Sequence, residues 1–228
     1  MRNLRLLILT VLFLVSCQTL PAVNSDPHRS ASYNSACPSP FLKQPYRLVH
    51  TIEARVAGKT QGAIIGVTLV DPKTRFVSCA IMTAEGMVLL EARAAPELEV
   101  IRALPPFNSA DFAKNMIEDI KLIFLAPESE IKIKGVLSDG AHVCRWQAKS
   151  GDWIDVISKT SEEMEINRYS ECGSLQRRIK INPGSGNNYQ YIELSAKETL
   201  NYSLKMTLIE AELLEGSLKT GKTAGSIE

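Results

Sequence analysis

The sequence has few of the features that mark an enzyme or a nucleic-acid-binding protein. Histidine occurs three times and no Cys-x-x-Cys pair is present, so a zinc site has little support. The Gly-x-Ser-x-Gly, His-Glu-x-x-His, phosphate-loop and dinucleotide motifs are also missing. The 26 basic and 25 acidic residues nearly balance and form no basic block, which argues against nucleic-acid binding. We therefore expect no catalysis, no cofactor, no metal ion and no nucleic-acid partner.

The chain begins with a short basic and apolar leader. Arg2 and Arg5 precede residues 6–15, which are apolar apart from Thr10. About ten apolar residues are too few to cross roughly 30 Å of hydrocarbon, so this segment indicates an export signal and not a permanent anchor. A tetrapeptide, Leu-Val-Ser-Cys, ends the leader at Cys17.

This tetrapeptide resembles the lipobox of bacterial lipoproteins. The resemblance implies cleavage after residues 1–16 and acylation of Cys17, which would hold the protein on a membrane without a spanning helix. Gln18 follows in place of Asp, and in such lipoproteins that pattern implies an outer-membrane, periplasm-facing location. The alternatives are an ordinary signal peptide with an incidental Cys17, or an uncleaved N-terminal anchor.

Four further cysteines can form disulfides once the chain reaches an oxidising compartment, and four cysteines allow three pairings. We predict a bond between Cys144 and Cys172, because both lie in the same half of the domain. The strand pattern places them two strands apart, about 9.6 Å, which exceeds disulfide reach unless the sheet curls. The remaining cysteines are Cys37 and Cys79.

The rest of the chain divides into three parts. Residues 17–45 are rich in Pro, Ser, Asn and Ala without apolar periodicity, which predicts a flexible tether. Residues 46–212 carry regular apolar patterns and form the predicted folded domain. Residues 213–228 have little to bury, which predicts a disordered tail.

Most of the domain has the two-residue period of β-strands, with turn signals about every ten residues. One helix over 110–125 interrupts it, with Phe112, Met116, Ile120 and Phe124 on one face. Short connections favour antiparallel pairing. About 11 strands are predicted near 46–56, 63–70, 75–83, 87–93, 131–137, 141–147, 152–158, 163–169, 175–181, 189–195 and 202–210.

A mainly β fold, in which a curved antiparallel sheet wraps around this helix, accounts for the pattern better than a sandwich. The chain here resembles the LolA and LolB group of bacterial lipoprotein carriers and their uncharacterised relatives, which implies an open β-barrel lidded by helices. In the carrier an exposed leucine inserts into the membrane, and Leu98 and Leu104 are the positional candidates. The residues that carry the likeness are 52–56, 63–70, 86–91 and 123–127.

The predicted strand at 63–70 and the segment 87–92 are apolar on both faces. In a sheet with one face toward water, apolar and polar residues should alternate along each strand. Either a covering helix or an apolar cavity explains this, and we predict a cavity for an acyl chain or a lipoprotein lipid moiety. The alternative function is a scaffolding lipoprotein that docks other envelope proteins without a small ligand. Our cavity candidates are Val67, Leu69, Met87, Leu89 and Ile120.

The anchor prediction is tested by replacing Cys17 with Ala. Without the acylated thiol, the protein should move from the membrane pellet to the soluble periplasmic fraction. Fractionation followed by immunoblotting measures this. A variant that still sediments with membranes after a high-salt wash would contradict lipid anchoring.

Overall fold

The computed structural model describes residues 20–25, 37–159, 163–183, 189–197 and 201–215. In this part of the chain, twelve strands form one sheet and a single helix, α1, lies at Ala110–Phe124. The strands are β1 Tyr46–Val56, β2 Lys59–Asp71, β3 Phe76–Met82, β4 Val88–Ala94, β5 Leu98–Ala103, β6 Ile131–Val136, β7 His142–Gln147, β8 Trp153–Ser158, β9 Met164–Tyr169, β10 Leu175–Pro183, β11 Tyr189–Lys197 and β12 Asn201–Leu213.

Each strand pairs antiparallel with its neighbours along the chain, except at the break between β5 and β6. The first and last strands also pair, from Tyr46 with Leu213 to Val56 with Tyr202. The twelve strands therefore form one open sheet whose two edge strands are β5 and β6. Because α1 connects these two strands, the opening of the sheet lies where the helix is inserted.

Local signals fix the start of α1 and the face it buries. The Ser109 hydroxyl accepts a hydrogen bond of 3.1 Å from the Phe112 backbone N–H and so caps the first turn. Ala113, Ile117, Ile120 and Phe124 then recur at helical spacing and are all buried. This stripe is the face that α1 packs against the sheet.

The concave face of the sheet carries small side chains where α1 approaches β3 and β4. Thr68 lies opposite Cys79 and Cys79 opposite Ala92, and all three are buried. Burial raises the pKa of the Cys79 thiol to about 12, so this cysteine packs as a small apolar residue. Small residues leave room for a helix close to the strands.

The same helix also reaches the other half of the sheet. Phe124 lies with its ring 6.1 Å from that of Tyr189 in β11, and Asp119 pairs with Arg177 in β10. One helix can contact β3–β5 and β10–β11 only if the sheet curves around it. The predicted fold class, a curved and unclosed antiparallel sheet around a helix, is confirmed.

The predicted strand count was too low by one. The missing strand is β5, Leu98–Ala103, where consecutive residues are exposed and no alternation marks the strand. It lies between Pro96 and Pro105, so the sequence there reads as a loop. The predicted helix over 110–125 agrees with α1 to within one residue.

The predicted disulfide is wrong, because Cys144 is bonded to Cys37 and not to Cys172. The Cα atoms of Cys37 and Cys144 lie 5.9 Å apart across a separation of 107 residues. Cys172 is exposed in the turn after β9, two strands from β7, so the strand spacing works against the predicted pair.

The predicted boundaries at 45 and 213 also need correction. Phe41, in the predicted tether 17–45, is only 7% exposed and belongs to the core. At the other end β12 continues to Leu213, and the Leu214 N–H donates to the Pro45 carbonyl at 2.9 Å. The predicted signal 1–16, Cys17 and residues 216–228 of the predicted tail lie outside the described residues.

Within the ranges given above, no helix combines the length and the apolarity that crossing a bilayer requires.

Replacing Ile120 with Asp tests the packing of α1. A charge at this buried position has no partner, so the free energy of unfolding should fall by several kcal/mol. Replacing exposed Lys114 with Ala on the same helix should change it by about 0.5 kcal/mol or less. Urea unfolding measures both, and equal shifts would contradict the placement of the helix.

Candidate functional site

The interface between α1 and the concave face of the sheet is the candidate site. One row of residues crosses four strands there: His50 lies opposite Gly66, Gly66 opposite Ile81, and Ile81 opposite Leu90. The stripe of α1 packs into the same core cluster. Apart from His50, this row and the helix stripe present only apolar groups.

Two of the five predicted cavity residues lie at this interface. Ile120 is in the buried stripe of α1. Leu89 is half-buried against the main core because β4 contains a bulge: Ile81 pairs with Leu90 and Met82 with Val88, which leaves Leu89 as the extra residue. A bulge turns this side chain inward although simple alternation would not.

The other three predicted cavity residues lie elsewhere. Val67 and Leu69 alternate with the buried residues Thr68 and Val70, so they point to the opposite, convex face. Met87 is 55% exposed just before β4 begins. Strand β2 is apolar on both faces, so the sequence could not tell which face is concave.

His50 is the unusual group of the site. It is 1% exposed, and neither ring nitrogen has a hydrogen-bond partner in the described part of the chain. Its ring lies 6.2 Å from that of Phe124 in α1. Burial lowers the pKa of His50 from 6.5 to about 4, so the imidazole is neutral at pH 7. A buried, unpaired imidazole lowers stability by about 1–3 kcal/mol.

A buried polar contact holds the other side of α1. Arg177 of β10 donates from Nε to Asp119 Oδ1 at 2.8 Å, and the Tyr202 hydroxyl of β12 donates to Asp119 Oδ2. The Arg177 guanidinium also lies 5.6 Å from the centre of the Tyr202 ring. Burial raises the pKa of Asp119, while Arg177 and Tyr202 oppose that rise. We call these three residues the latch.

A second ion pair adds little to the latch. Arg168 of β9 contacts Glu118 of α1 at 3.4 Å and Asp152 at 2.6 Å, with partly exposed side chains. The helical pattern placed Asp119 on the polar side of α1. No local signal could have shown its burial, because its partner Arg177 lies 58 residues away.

An exposed apolar surface lies next to this interface, and we call it the rim patch. It follows the edge strand β5 and its connections, includes Met87 just before β4, and contains both leucine candidates, Leu98 and Leu104. The Leu104 N–H donates to the Leu89 carbonyl at 2.8 Å, which joins the patch to the bulge at the concave face. The members of the rim patch are Met87, Leu98, Val100, Ile101 and Leu104.

Because the His50 imidazole is buried without a partner in the described chain, we predict that folding stability depends on pH. Unfolded His50 binds a proton below pH 6.5 but the folded protein does so only near pH 4, so folding stability is lost as the pH falls through this window. The loss should reach about 2 kcal/mol by pH 5. His50→Leu should raise stability at pH 7 by about 1–2 kcal/mol and remove this part of the pH dependence. Urea unfolding at pH 7 and pH 5 measures both, and identical pH dependence in the two proteins would contradict the burial of His50.

Comparisons with known proteins find structural neighbours but no match in sequence. No family model matches the chain, and no curated protein matches it. Its fold is similar to the crystal structure of a LolA superfamily protein from Nitrosomonas europaea, with a TM-score of 0.49 and 10% identity. The match covers 77% of this chain and 88% of the other.

Proposed function

We propose that the protein is an outer-membrane lipoprotein, facing the periplasm and anchored through Cys17, that binds an acyl chain or the lipid moiety of another lipoprotein. The ligand would lie between α1 and the concave face of the sheet. One observation carries the proposal: the row from His50 to Leu90 and the buried stripe of α1 are apolar apart from His50, whose ring nitrogens have no partner in the described chain.

The topology allows α1 to move without breaking the sheet. Strands β5 and β6 do not pair with each other, and α1 is the element that connects them. Displacing the helix therefore breaks no strand-to-strand hydrogen bonds. A fully closed barrel would offer no such opening.

The energetics also favour an apolar ligand. An acyl chain that lies between α1 and the sheet leaves Ile117, Ile120 and Phe124 in contact with hydrocarbon, so little hydrophobic free energy is lost. The carboxyl or ester group of the ligand would give His50 the hydrogen bond that it lacks. The latch fixes the side of α1 that faces β10 and β12.

The rim patch supports a route for the ligand. Its exposed leucines, Leu98 and Leu104, lie beside the concave face, where an acyl chain could pass from a membrane without entering water.

The rim patch also favours a second function. Strand β5 is a free sheet edge with exposed Val100 and Ile101, and such an edge can accept a strand from another protein. A scaffolding lipoprotein that docks envelope proteins there would need no small ligand. Ligand binding distinguishes the two functions.

The binding test uses the soluble Cys17→Ala protein and fluorescent fatty acids of increasing chain length. We expect saturable binding with one ligand per protein. Affinity should rise by up to about 0.8 kcal/mol for each methylene, close to fourfold, because the chain is buried. Binding that never saturates or ignores chain length would favour the scaffolding function.

Two matched variants locate the bound probe. Leu89→Glu places a charge at the concave face and should abolish uptake, whereas Leu69→Glu places it on the convex face of the same meander and should leave uptake unchanged. Circular dichroism and urea unfolding check that both variants fold. Equal loss of uptake in two folded variants would contradict a site under α1.

A further inference from the structure

Two described stretches of the predicted tether pack against the sheet at the edge strand β6 and its neighbour β7. We call residues 20–25 and 37–45 the clasp. On the convex face Val23 packs with Ala141, Val143 and Ile157 in a core cluster separate from the main one. These apolar contacts hold the first part of the clasp, residues 20–25, against the convex face.

Backbone pairing fixes the clasp beside strand β6. Asn24 and Val136 exchange two N–H to carbonyl hydrogen bonds, of 2.9 and 3.0 Å. The neighbouring position is Gly135, and a Cβ there would collide with the Asn24 carbonyl oxygen and with Val23. The sequence therefore has glycine where the clasp crosses closest to the strand.

A buried ion pair on the convex face depends on the clasp. Arg145 donates from Nε and Nη2 to the two carboxylate oxygens of Asp155 at 2.6 and 2.7 Å. Its Nη2 also donates to the Pro21 carbonyl at 3.0 Å. Removing the clasp would leave part of a buried guanidinium without its acceptor, which is unfavourable.

The second part of the clasp lies on the concave face. Cys37 is covalently bonded to Cys144 of β7, Phe41 is in the main core, and the Leu42 N–H donates to the Phe124 carbonyl at 3.0 Å. The N-terminal chain thus contacts both faces of the sheet at β6 and β7. A free tether would contact neither.

We propose that the clasp turns the convex face of β6–β8 toward the lipid headgroups of the membrane. This inference rests on the proposed acylation of Cys17. Only three peptide units separate Cys17 from Leu20, a reach of at most about 11 Å. A flexible tether running from 17 to 45 would instead span an average of about 30 Å and set no orientation.

The test places a photo-crosslinking phenylalanine analogue in the acylated, full-length protein on vesicles of phosphatidylethanolamine and phosphatidylglycerol. One position is Asp139 in the β6–β7 turn, beside the convex cluster, and the control is Gln61 at the start of β2. Both are exposed. We expect several-fold more crosslinking to lipid from position 139 than from position 61.

A linker variant completes the test. Ten Gly and Ser residues inserted between Cys17 and Leu20 leave the clasp intact but lengthen the chain to the anchor, so the two positions should then crosslink equally. Equal crosslinking in the unmodified, membrane-bound protein would overturn the orientation. Loss of membrane binding altogether would instead overturn the acylation of Cys17, and fatty-acid uptake by the soluble protein is independent of both results.

Discussion

The pairing of the first strand with the last determines the rest of this structure. Eleven positions of β1 pair with β12, and this ladder joins two meanders into one sheet. Because the chain ends pair in the centre of the strand order, the two edge strands, β5 and β6, come from the middle of the chain. There the only connection between the free edges is the segment that contains α1. The concave face is thus covered by an element that holds no strand in place.

The interactions between α1 and the sheet contribute unequally to the stability of the closed structure. Each of the three large buried side chains of the stripe, Ile117, Ile120 and Phe124, contributes about 1.5–3 kcal/mol, and together they outweigh the cost of the unpaired His50. The buried pair of Asp119 and Arg177 gives little net free energy, because desolvation offsets most of the attraction. Its role is therefore orientation: it fixes which side of the helix faces β10 and β12.

The sequence predicted those features that depend on local periodicity. Strand alternation and the helical stripe gave the fold class and α1, because both patterns repeat over short distances. Strand β5 was not predicted because its side chains are exposed on both faces and show no alternation. The site residues could be predicted only in part. A bulge in β4 turns Leu89 to the concave face, which alternation alone does not predict. Strand β2 is apolar on both faces, so the sequence did not show that Val67 points to the convex face. The Cys37–Cys144 bond spans 107 residues, and the clasp has no periodicity, so neither could be read locally.

The two tryptophans lie on opposite faces of the sheet and allow the most direct measurement. Trp146 is buried in the main core on the concave face, whereas Trp153 alternates with the core residue Ile154 and so points to the convex face. A fatty acid brominated along its chain quenches tryptophan fluorescence only on close contact. If the ligand binds under α1, it should quench Trp153→Phe, which retains Trp146, and leave Trp146→Phe unquenched. Quenching confined to Trp153, or equal in both variants, would contradict the account.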